Sequence, residues 1–241
     1  MRKKKVTKIR INRYISSSGY CSRRQADKLI KEGKVRLNGD IAQLGDQVGL
    51  NDTVTIGNKV ISPVQESELV YLAFNKPTEI TCTTDPRRKD NIIDFIGYPE
   101  RIFPIGRLDR MSEGLILLTN DGATVNPILR AENKNEKEYE VTVDREISDK
   151  DLMLLQNGLP ILGQITNFSK VKRIGKNKFR IILTQGLNRQ IRRMCEYLGY
   201  QVVALKRVRI MHIALGNLPL GTWRYLSDKE IAELKRLTGQ E

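Results

Sequence analysis

The sequence has 241 residues, and its 42 lysines and arginines against 28 aspartates and glutamates give a formal net charge of +14. Its longest apolar run, Leu69 to Phe74, is far shorter than the roughly 20 residues of a membrane-spanning helix. No apolar stretch follows the basic N-terminus, so no secretory signal is predicted. Three widely spaced cysteines without a CxxC pair, and a single histidine, exclude a disulfide framework, structural zinc and a histidine-based triad. We therefore expect a cytoplasmic protein without a bound metal or membrane contact, whose partner is a polyanion.

The positive charge is concentrated near the N-terminus. Residues 1–36 hold thirteen lysines and arginines against two acidic residues, a net charge of +11. Such a field attracts a phosphate backbone and releases its counterions on binding. The alternative is a solubilising tail, which suits residues 1–8, and we expect these to be disordered. The later basic residues lie in a segment that is patterned to fold, which favours nucleic-acid binding.

Residues 9–62 are predicted to form a small α/β module. A short helix is expected over Ile9–Ile15. Ser22 and Gln25 have the spacing of a capping box and predict a helix that runs to Lys31 and is ended by Gly33. Its apolar stripe leaves four basic side chains free to face RNA: Arg23, Arg24, Lys28 and Lys31.

Short strands complete this module. Asn38-Gly39 is a preferred two-residue hairpin turn after the strand that begins at Val35. Two more strands are expected at Thr53–Ile56 and Lys59–Ile61. The polar residues 63–68 are predicted to link the module to the remaining chain, residues 69–241.

From Leu69 onward, predicted strands outnumber helices and do not alternate with them regularly. The strands are expected at Leu69–Asn75, Leu115–Thr119, Lys137–Asp144, Phe179–Thr184 and Val202–Leu215. The helices are expected at Asn91–Ile96, Ser148–Asn157, Asn188–Leu198 and Ser227–Leu237. This arrangement favours an α+β fold with a mainly antiparallel sheet over a doubly wound fold.

The sequence contains neither GxGxxG nor GxxxxGK[ST], so no dinucleotide or nucleoside triphosphate cofactor is expected. Instead, Asp109 lies between Arg107 and Arg110, immediately before an apolar strand. On local composition alone, a surface ion pair is the ordinary explanation. The alternative is a carboxylate that flanking guanidinium groups keep ionised at a phosphate-rich surface.

Four segments carry a family resemblance. Residues Gly106 to Gly122, GRLDRMSEGLILLTNDG, resemble the catalytic motif of the RNA pseudouridine synthases, in the branch typified by the small-subunit rRNA enzyme. Three other segments resemble motifs of this family in the same order: Asn75-Lys76-Pro77, Glu138-Tyr139-Glu140-Val141 and Gln185 to Met194. Residues 9–56 resemble an S4 RNA-binding domain. The resemblance thus implies an S4-like domain over 9–62 and a pseudouridine synthase catalytic domain over 69–241.

The resemblance implies a cofactor-free enzyme that isomerises uridine in RNA. The bond between uracil N1 and ribose C1′ breaks, the base turns, and C5 bonds to C1′. Asp109 is the implied catalytic residue, either as a nucleophile or as a base for a sugar proton. Arg192 is implied to form an ion pair with Asp109, and Tyr139 to stack on the flipped uracil. The other implied substrate contacts are Arg107, Lys76, Arg189 and Arg193.

Structural alternatives remain open for several of these residues. Tyr139 shares a strand face with Val141 and Val143, so a core tyrosine is its alternative. The alternative for Arg192 is an ordinary arginine on a helix surface. Glu79 stands where the family's first motif has glycine, and it would be strained if the backbone there has a positive φ.

The resemblance also implies a substrate. Lys89-Asp90-Asn91-Ile92 and Gly186 to Cys195 are most similar to a large-subunit rRNA enzyme of this branch. The expected partner is therefore 23S rRNA or a large-subunit assembly intermediate, bound by a monomer. A tRNA anticodon stem-loop or another rRNA site is the alternative substrate, and a non-catalytic RNA-binding or ribosome-assembly protein is the alternative function. An inactive relative would be free to lose Asp109 or Arg192, so the presence of both favours the enzyme.

Overall fold

A computed structural model of the chain describes residues 8–65, 68–130 and 133–239. The predicted tail, apart from residue 8, and residues 66–67 of the predicted linker lie outside the described residues. The chain divides into two compact units, residues 1–69 with 120–122 and residues 70–119 with 123–241. Each unit has a hydrophobic core of its own.

The first unit is a small α/β structure. Its described elements are β1 (Ile9–Arg10), α1 (Ile11–Ser17), α2 (Arg23–Lys31), β2 (Val35–Leu37), β3 (Asp40–Ile41), β4 (Gln47–Val48), β5 (Val54–Ile56) and β6 (Lys59–Ile61). The helix predicted over Ile9–Ile15 is wrong at its start, because Ile9 and Arg10 pair with β4 as a strand. The predicted cap of α2 is confirmed, since Ser22 Oγ accepts a hydrogen bond from the Gln25 N–H at 3.2 Å.

The second unit is built on a large sheet. The strands of this unit are β7 (Tyr71–Lys76), β8 (Phe103–Ile105), β9 (Glu113–Thr119), β10 (Lys137–Val143), β11 (Pro160–Ile161), β12 (Gln164–Ile165), β13 (Lys170–Gly175), β14 (Lys178–Leu183), β15 (Val202–Ile210), β16 (Ile213–Ala214) and β17 (Trp223–Tyr225). Strands β11 and β12 form a separate two-stranded sheet, and the others belong to the large sheet. Its helices are α3 (Ile92–Ile96), α4 (Val125–Leu129), α5 (Asp149–Asn157), α6 (Gln190–Tyr197) and α7 (Asp228–Leu237).

The strand order in this sheet is β13-β14-β10-β15-β9-β7-β17, with β16 beside β15 and β8 beside β9. Neighbouring strands are antiparallel except β15 and β9, which are parallel. The predicted α+β class with a mainly antiparallel mixed sheet is thus confirmed.

One predicted strand of the second unit is wrong. The segment Val202–Leu215 is not continuous, because Met211 adopts a φ of 52° and turns the chain between β15 and β16. The short elements β8, β17 and α4, and strand β13, were not predicted. No helix among residues 8–65, 68–130 and 133–239 has the length and apolar character to cross a membrane.

Candidate active site

The sheet of the second unit brings two predicted motifs into one row, with Arg207 between them. Tyr139 on β10 pairs with Arg207 on β15, and Arg207 pairs in turn with Gly114 on β9. Gly114 has a φ of 102°, and a Cβ atom there would lie 2.3 Å from the Arg207 carbonyl oxygen. Only glycine permits this approach. We call the segment that precedes β9, residues 107–112, the Asp109 loop. Arg207 links it to Tyr139, because its Nη1 lies 3.4 Å from the Arg107 carbonyl and 3.5 Å from the Tyr139 hydroxyl.

The first half of the Asp109 loop is held through its backbone. The Arg107 carbonyl accepts a hydrogen bond from Arg207 Nη1 at 3.4 Å. The Leu108 N–H donates to the sulfur of Cys82 at 3.4 Å. Both partners are buried side chains on other elements of the same unit, so the backbone before Asp109 has little freedom.

The second half of the Asp109 loop is held in the same way. The Arg110 carbonyl accepts from the Glu79 N–H at 2.7 Å and from Lys76 Nζ at 3.4 Å. The Ser112 N–H donates to the Asp109 carbonyl at 3.0 Å, which closes a turn. The Asp109 side chain is half-buried, and its carboxylate has no hydrogen bond or ion pair within the described residues. The loop is thus fixed on both sides of a carboxylate that stays available.

The predicted ion pair between Arg192 and Asp109 is not formed in this structure. Arg192 lies on α6, and its Nη2 donates to the Met111 carbonyl at 2.8 Å and to Ser112 Oγ at 3.4 Å. Its Nη1 donates to the Val202 carbonyl at 3.1 Å. These contacts engage both Nη atoms, while Nε is buried without a hydrogen-bond partner in the described residues. Arg192 therefore holds the end of the Asp109 loop and not its carboxylate.

Asp109 still acts on Arg192 through space. Burial lowers the pKa of the Arg192 guanidinium and the charge of Arg189 lowers it further, whereas the Asp109 carboxylate opposes both. The same holds for Lys76, whose pKa is lowered by burial and raised in part by Cys82 and Asp109. The charge of Asp109 thus opposes the lowering of both pKa values, although its carboxylate makes no ion pair with either cation.

Lys76, which was predicted to contact the substrate, is fully buried in this structure. Its Nζ donates to the Pro77 carbonyl at 2.7 Å and to the Ile80 carbonyl at 2.8 Å. Lys76 thus closes the loop after β7. Within that loop Glu79 has a φ of 68°, so the condition under which a glutamate is strained at this position is met.

Tyr139 is half-buried and packs against two clusters of buried apolar side chains in this unit. One cluster includes Val141 and Phe179, and the other includes Leu108 and Ile116. The Arg207 Cζ atom lies 5.9 Å from the centroid of its ring, and Arg207 Nη1 lies 3.5 Å from its hydroxyl. The ring is therefore packed along part of its surface and accessible along the rest. Both interpretations of Tyr139, core residue and stacking platform, describe part of its surroundings.

Arg207 was missed by sequence reasoning. Its side chain is 3% exposed, and its Nε donates to the Leu115 carbonyl at 2.7 Å. Its Nη2 is buried without a hydrogen-bond partner in the described residues. One feature of the sequence could have indicated it. Arg207 lies two residues after Leu205 on the same strand, where the alternation of side chains between the two faces predicts an inward-facing apolar residue. A buried cation without a carboxylate partner lowers the stability of the fold. Groups that are kept despite such a cost are typical of functional positions.

The remaining predicted cations differ in their surroundings. Arg107 and Arg189 are exposed, and no partner for either guanidinium is found in the described residues. Arg193 is half-buried and donates to the Asn188 carbonyl at 3.1 Å. Half-buried Lys137, which the sequence analysis did not single out, has its pKa lowered by burial and by Arg207. In the first unit, Arg23, Arg24, Lys28 and Lys31 are all exposed on α2.

The two buried cysteine thiols of the second unit, Cys82 and Cys195, are poor alternative nucleophiles. Burial raises the pKa of the Cys195 thiol to about 12 and also raises the pKa of Cys82. A thiol reacts as its thiolate, which is scarce at such a pKa. No group of three or more histidine, cysteine or acidic side chains in the described residues has a metal-binding arrangement. The half-buried Asp109 carboxylate, by contrast, is accessible.

Comparison with known proteins agrees with this geometry. Residues 70–197 match the family model described as RNA pseudouridylate synthase, and residues 9–54 match the S4 domain. The chain is 52% identical over 231 residues to the dual-specificity RNA pseudouridine synthase RluF of Salmonella typhi, covering 96% of this chain and 80% of that protein.

Two more distant relatives extend the comparison. The chain is 34% identical over 238 residues to ribosomal large subunit pseudouridine synthase B of Bacillus subtilis, covering 95% and 96% of the two chains. A solved structure titled crystal structure of pseudouridylate synthase superposes with a TM-score of 0.69 at 28% identity, covering 94% of this chain and 99% of that one. The chain therefore belongs to the RNA pseudouridine synthase family, as an enzyme that isomerises uridine in RNA and carries an S4 domain at its N-terminus.

Proposed function

We propose that Asp109 is the catalytic residue and that the substrate is a uridine of 23S rRNA. The observation that carries the catalytic assignment is the half-buried Asp109 carboxylate, unpaired within the described residues, on a loop whose backbone is held on both sides. A preorganised and available carboxylate suits attack on ribose C1′ as well as removal of a sugar proton. In either route the same base is released and recaptured, so no external group is consumed.

Tyr139 is proposed to stack on the flipped uracil. Its ring is half-buried beside the Asp109 loop, and an aromatic face accepts a base in more than one orientation. This suits a reaction in which the uracil must turn before C5 meets C1′. Arg207, beneath the ring, is proposed to hold both Tyr139 and the Asp109 loop.

Arg107 and Arg189 are proposed to contact RNA phosphates, since both are exposed cations without a partner in the described residues. Arg192 and Lys76 are both proposed to position the second half of the Asp109 loop. Arg193, which is already bound to Asn188, is proposed as a weaker phosphate contact.

The S4 domain is proposed to dock the RNA through α2. If Arg23, Arg24, Lys28 and Lys31 contact phosphates, a variant with all four changed to glutamine should bind RNA more weakly. The slope of log affinity against log salt should decrease by roughly 0.7–0.9 for each phosphate that is no longer neutralised. An unchanged slope would mean that α2 does not touch the RNA.

The choice of 23S rRNA is supported by the ribosomal large subunit named for the Bacillus subtilis relative. The dual specificity named for the Salmonella typhi relative favours a second RNA class, for which we propose tRNA. We further propose that the enzyme acts as a monomer in the cytoplasm. Pseudouridine mapping in total RNA from cells with and without this protein tests the substrate, because it names both the RNA and the nucleotide.

The catalytic proposal is tested by Asp109→Asn. This variant keeps the shape of the side chain but removes the nucleophile or base, so RNA affinity should stay near that of the wild type while tritium release from [5-³H]uridine RNA is abolished. Substantial remaining turnover would refute the assignment.

A further inference from the structure

A second carboxylate of the same unit is bound to the residue that follows Asp109. Asp90 lies in the loop before α3, and its Oδ2 accepts from the Nε of Arg110 at 3.2 Å. Arg88 donates to Asp90 at 3.0 Å from both Nε and Nη2, and Thr81 Oγ1 donates at 2.7 Å. These hydrogen bonds hold the pKa of Asp90 far below its usual range, so the carboxylate is charged at any physiological pH.

The Arg110 backbone does not need this contact. Its carbonyl is held from the other side by the Glu79 N–H and by Lys76 Nζ, neither of which involves Asp90. What Asp90 holds is the guanidinium, whose side chain is 50% exposed. A long, half-exposed arginine next to the Asp109 carboxylate can reach that carboxylate unless it is bound elsewhere.

We propose that Asp90 is a positioning residue for Asp109, which acts by holding the Arg110 guanidinium away from the Asp109 carboxylate. The inference rests on the proposed function, because it takes Asp109 as the catalytic residue. A guanidinium paired with Asp109 would occupy the carboxylate oxygens that must reach the ribose. Asp90 therefore keeps the reactive group available, while the loop backbone is fixed by other contacts.

The same loop provides a matched control. Asp85 also binds the arginine two residues after it, with Arg87 Nε at 3.0 and 3.2 Å and Arg87 Nη2 at 2.7 Å from its oxygens. Within the described part of the chain, Asp85 makes no contact with Arg110. Asp85→Asn removes the same charge from the same loop, so it reports any effect of charge on RNA binding.

The test measures kcat and KM by tritium release from a transcript that carries the mapped uridine. Asp90→Asn should lower kcat about ten- to a hundredfold, because small displacements of a reacting group have effects of this size. Asp85→Asn should leave kcat unchanged, and both variants should change KM to the same small extent.

A double variant decides the mechanism. Because the harm in Asp90→Asn comes from the released guanidinium, adding Arg110→Met should restore kcat about tenfold or more. A merely structural role of Asp90 would not be rescued by removing its partner. If Asp90→Asn fails to fold, Asp90→Glu, which keeps the charge but moves it by one methylene, should show a smaller loss that Arg110→Met also rescues.

Three outcomes overturn the inference: equal kcat values for Asp90→Asn and Asp85→Asn, no rescue by Arg110→Met, or a loss in KM alone. These are distinguishable from failure of the proposed function. If Asp109→Asn is inactive while Asp90→Asn equals the wild type, only the role of Asp90 is wrong. If Asp109→Asn turns over RNA, the catalytic assignment itself is wrong.

Discussion

Two arginines of β15, Arg207 and Arg209, have opposite surroundings although they are two residues apart. In a regular strand they would share a face. However, Tyr139 of β10 pairs with Arg207, whereas the preceding residue, Glu138, pairs with Arg209. One step along β10 therefore corresponds to two steps along β15, which is a β-bulge. This bulge puts Arg207 beside Tyr139 and Arg209 on the other face, among acidic side chains. Bulges are common beside active sites because they redirect a side chain in this way.

The partners of the two arginines differ in charge. Arg209 donates to Glu138 at 2.8 Å and to Glu136 at 3.0 Å, in a ladder that continues through Arg180, Glu140 and Lys178. Within the described residues Arg207 has carbonyl and hydroxyl partners and no carboxylate, so no acidic group there neutralises its charge. The ladder pairs its arginines with carboxylates, whereas the candidate active site keeps a cation without a carboxylate partner in the described residues. The same residue type therefore serves two purposes within one strand.

The largest expected effect separates these purposes. Arg207→Met should lower kcat about a hundredfold, because the Asp109 loop and Tyr139 lose a shared anchor. Its free energy of unfolding should stay within about 1 kcal/mol of the wild type, since loss of hydrogen bonds to carbonyls is offset by removal of a buried, unpaired charge. The two quantities are measured by tritium release and urea denaturation.

Arg209→Met is the matched control on the other face. It leaves Glu138 and Glu136 with fewer partners, so the free energy of unfolding should decrease by about 1–2 kcal/mol, while kcat changes less than about threefold. If Arg207→Met were the less stable and more active of the two, the division between the faces would be wrong.

A second experiment sharpens the comparison at Tyr139. Tyr139→Leu keeps apolar bulk but removes the aromatic face, so kcat/KM should decrease about ten- to a hundredfold, in line with about 1–3 kcal/mol of base stacking. Tyr139→Phe keeps the ring and removes only the hydroxyl near Arg207, so its kcat/KM should decrease less than about threefold. Equal activity of Tyr139→Leu and the wild type would make Tyr139 a core residue.

Local pattern predicted much of this fold from sequence alone. The capping box of α7 is present, with Ser227 and Glu230 bonded reciprocally, and Asn38-Gly39 makes the hairpin turn with φ values of 54° and 95°. These features depend on residues within four positions of one another, so a single sequence contains them. Strand β17 cannot be predicted in this way. Its three residues form a strand because they pair with β7, about 150 residues away in the sequence.

The site shows the same limit. The family motifs predicted roles for Asp109, Tyr139 and Arg192, but a motif contains no distances between side chains. In the structure, the ion pair expected between Arg192 and Asp109 is replaced by hydrogen bonds from Arg192 to carbonyls. Arg207 and Cys82 contact the Asp109 loop from 100 and 26 residues away in sequence. Neither could be predicted from local pattern, because each side chain is defined by a tertiary contact with backbone.

Backbone strain on the active-site face provides a smaller effect. Glu79 adopts a φ of 68°, which costs a residue with a Cβ roughly 1–2 kcal/mol relative to glycine. Glu79→Gly should therefore raise the free energy of unfolding by about 0.5–1 kcal/mol, after the greater flexibility of unfolded glycine is included. Glu79→Ala is the control, because it removes the carboxylate but keeps the Cβ. An equal gain from both would assign the effect to charge and not to the backbone.

The smallest effect is expected in the ladder itself. Burial tends to raise the pKa of Glu140, but hydrogen bonds from Lys178 and Arg180 outweigh it, so the pKa lies below its ordinary value of 4.5. A carboxylate with a lowered pKa stabilises the fold above pH 4.5 and loses that contribution as the pH falls through its folded pKa. Glu140→Gln should thus reduce the free energy of unfolding by less than about 1 kcal/mol at pH 7 and by less still in acid.

Exposed Glu146, which has no ion pair in the described residues, is the control: Glu146→Gln should have no effect at either pH. If Glu140→Gln reduced the free energy of unfolding more in acid than at pH 7, the ladder would destabilise this face. The contrast between Arg209 and Arg207 would then lie only in catalysis.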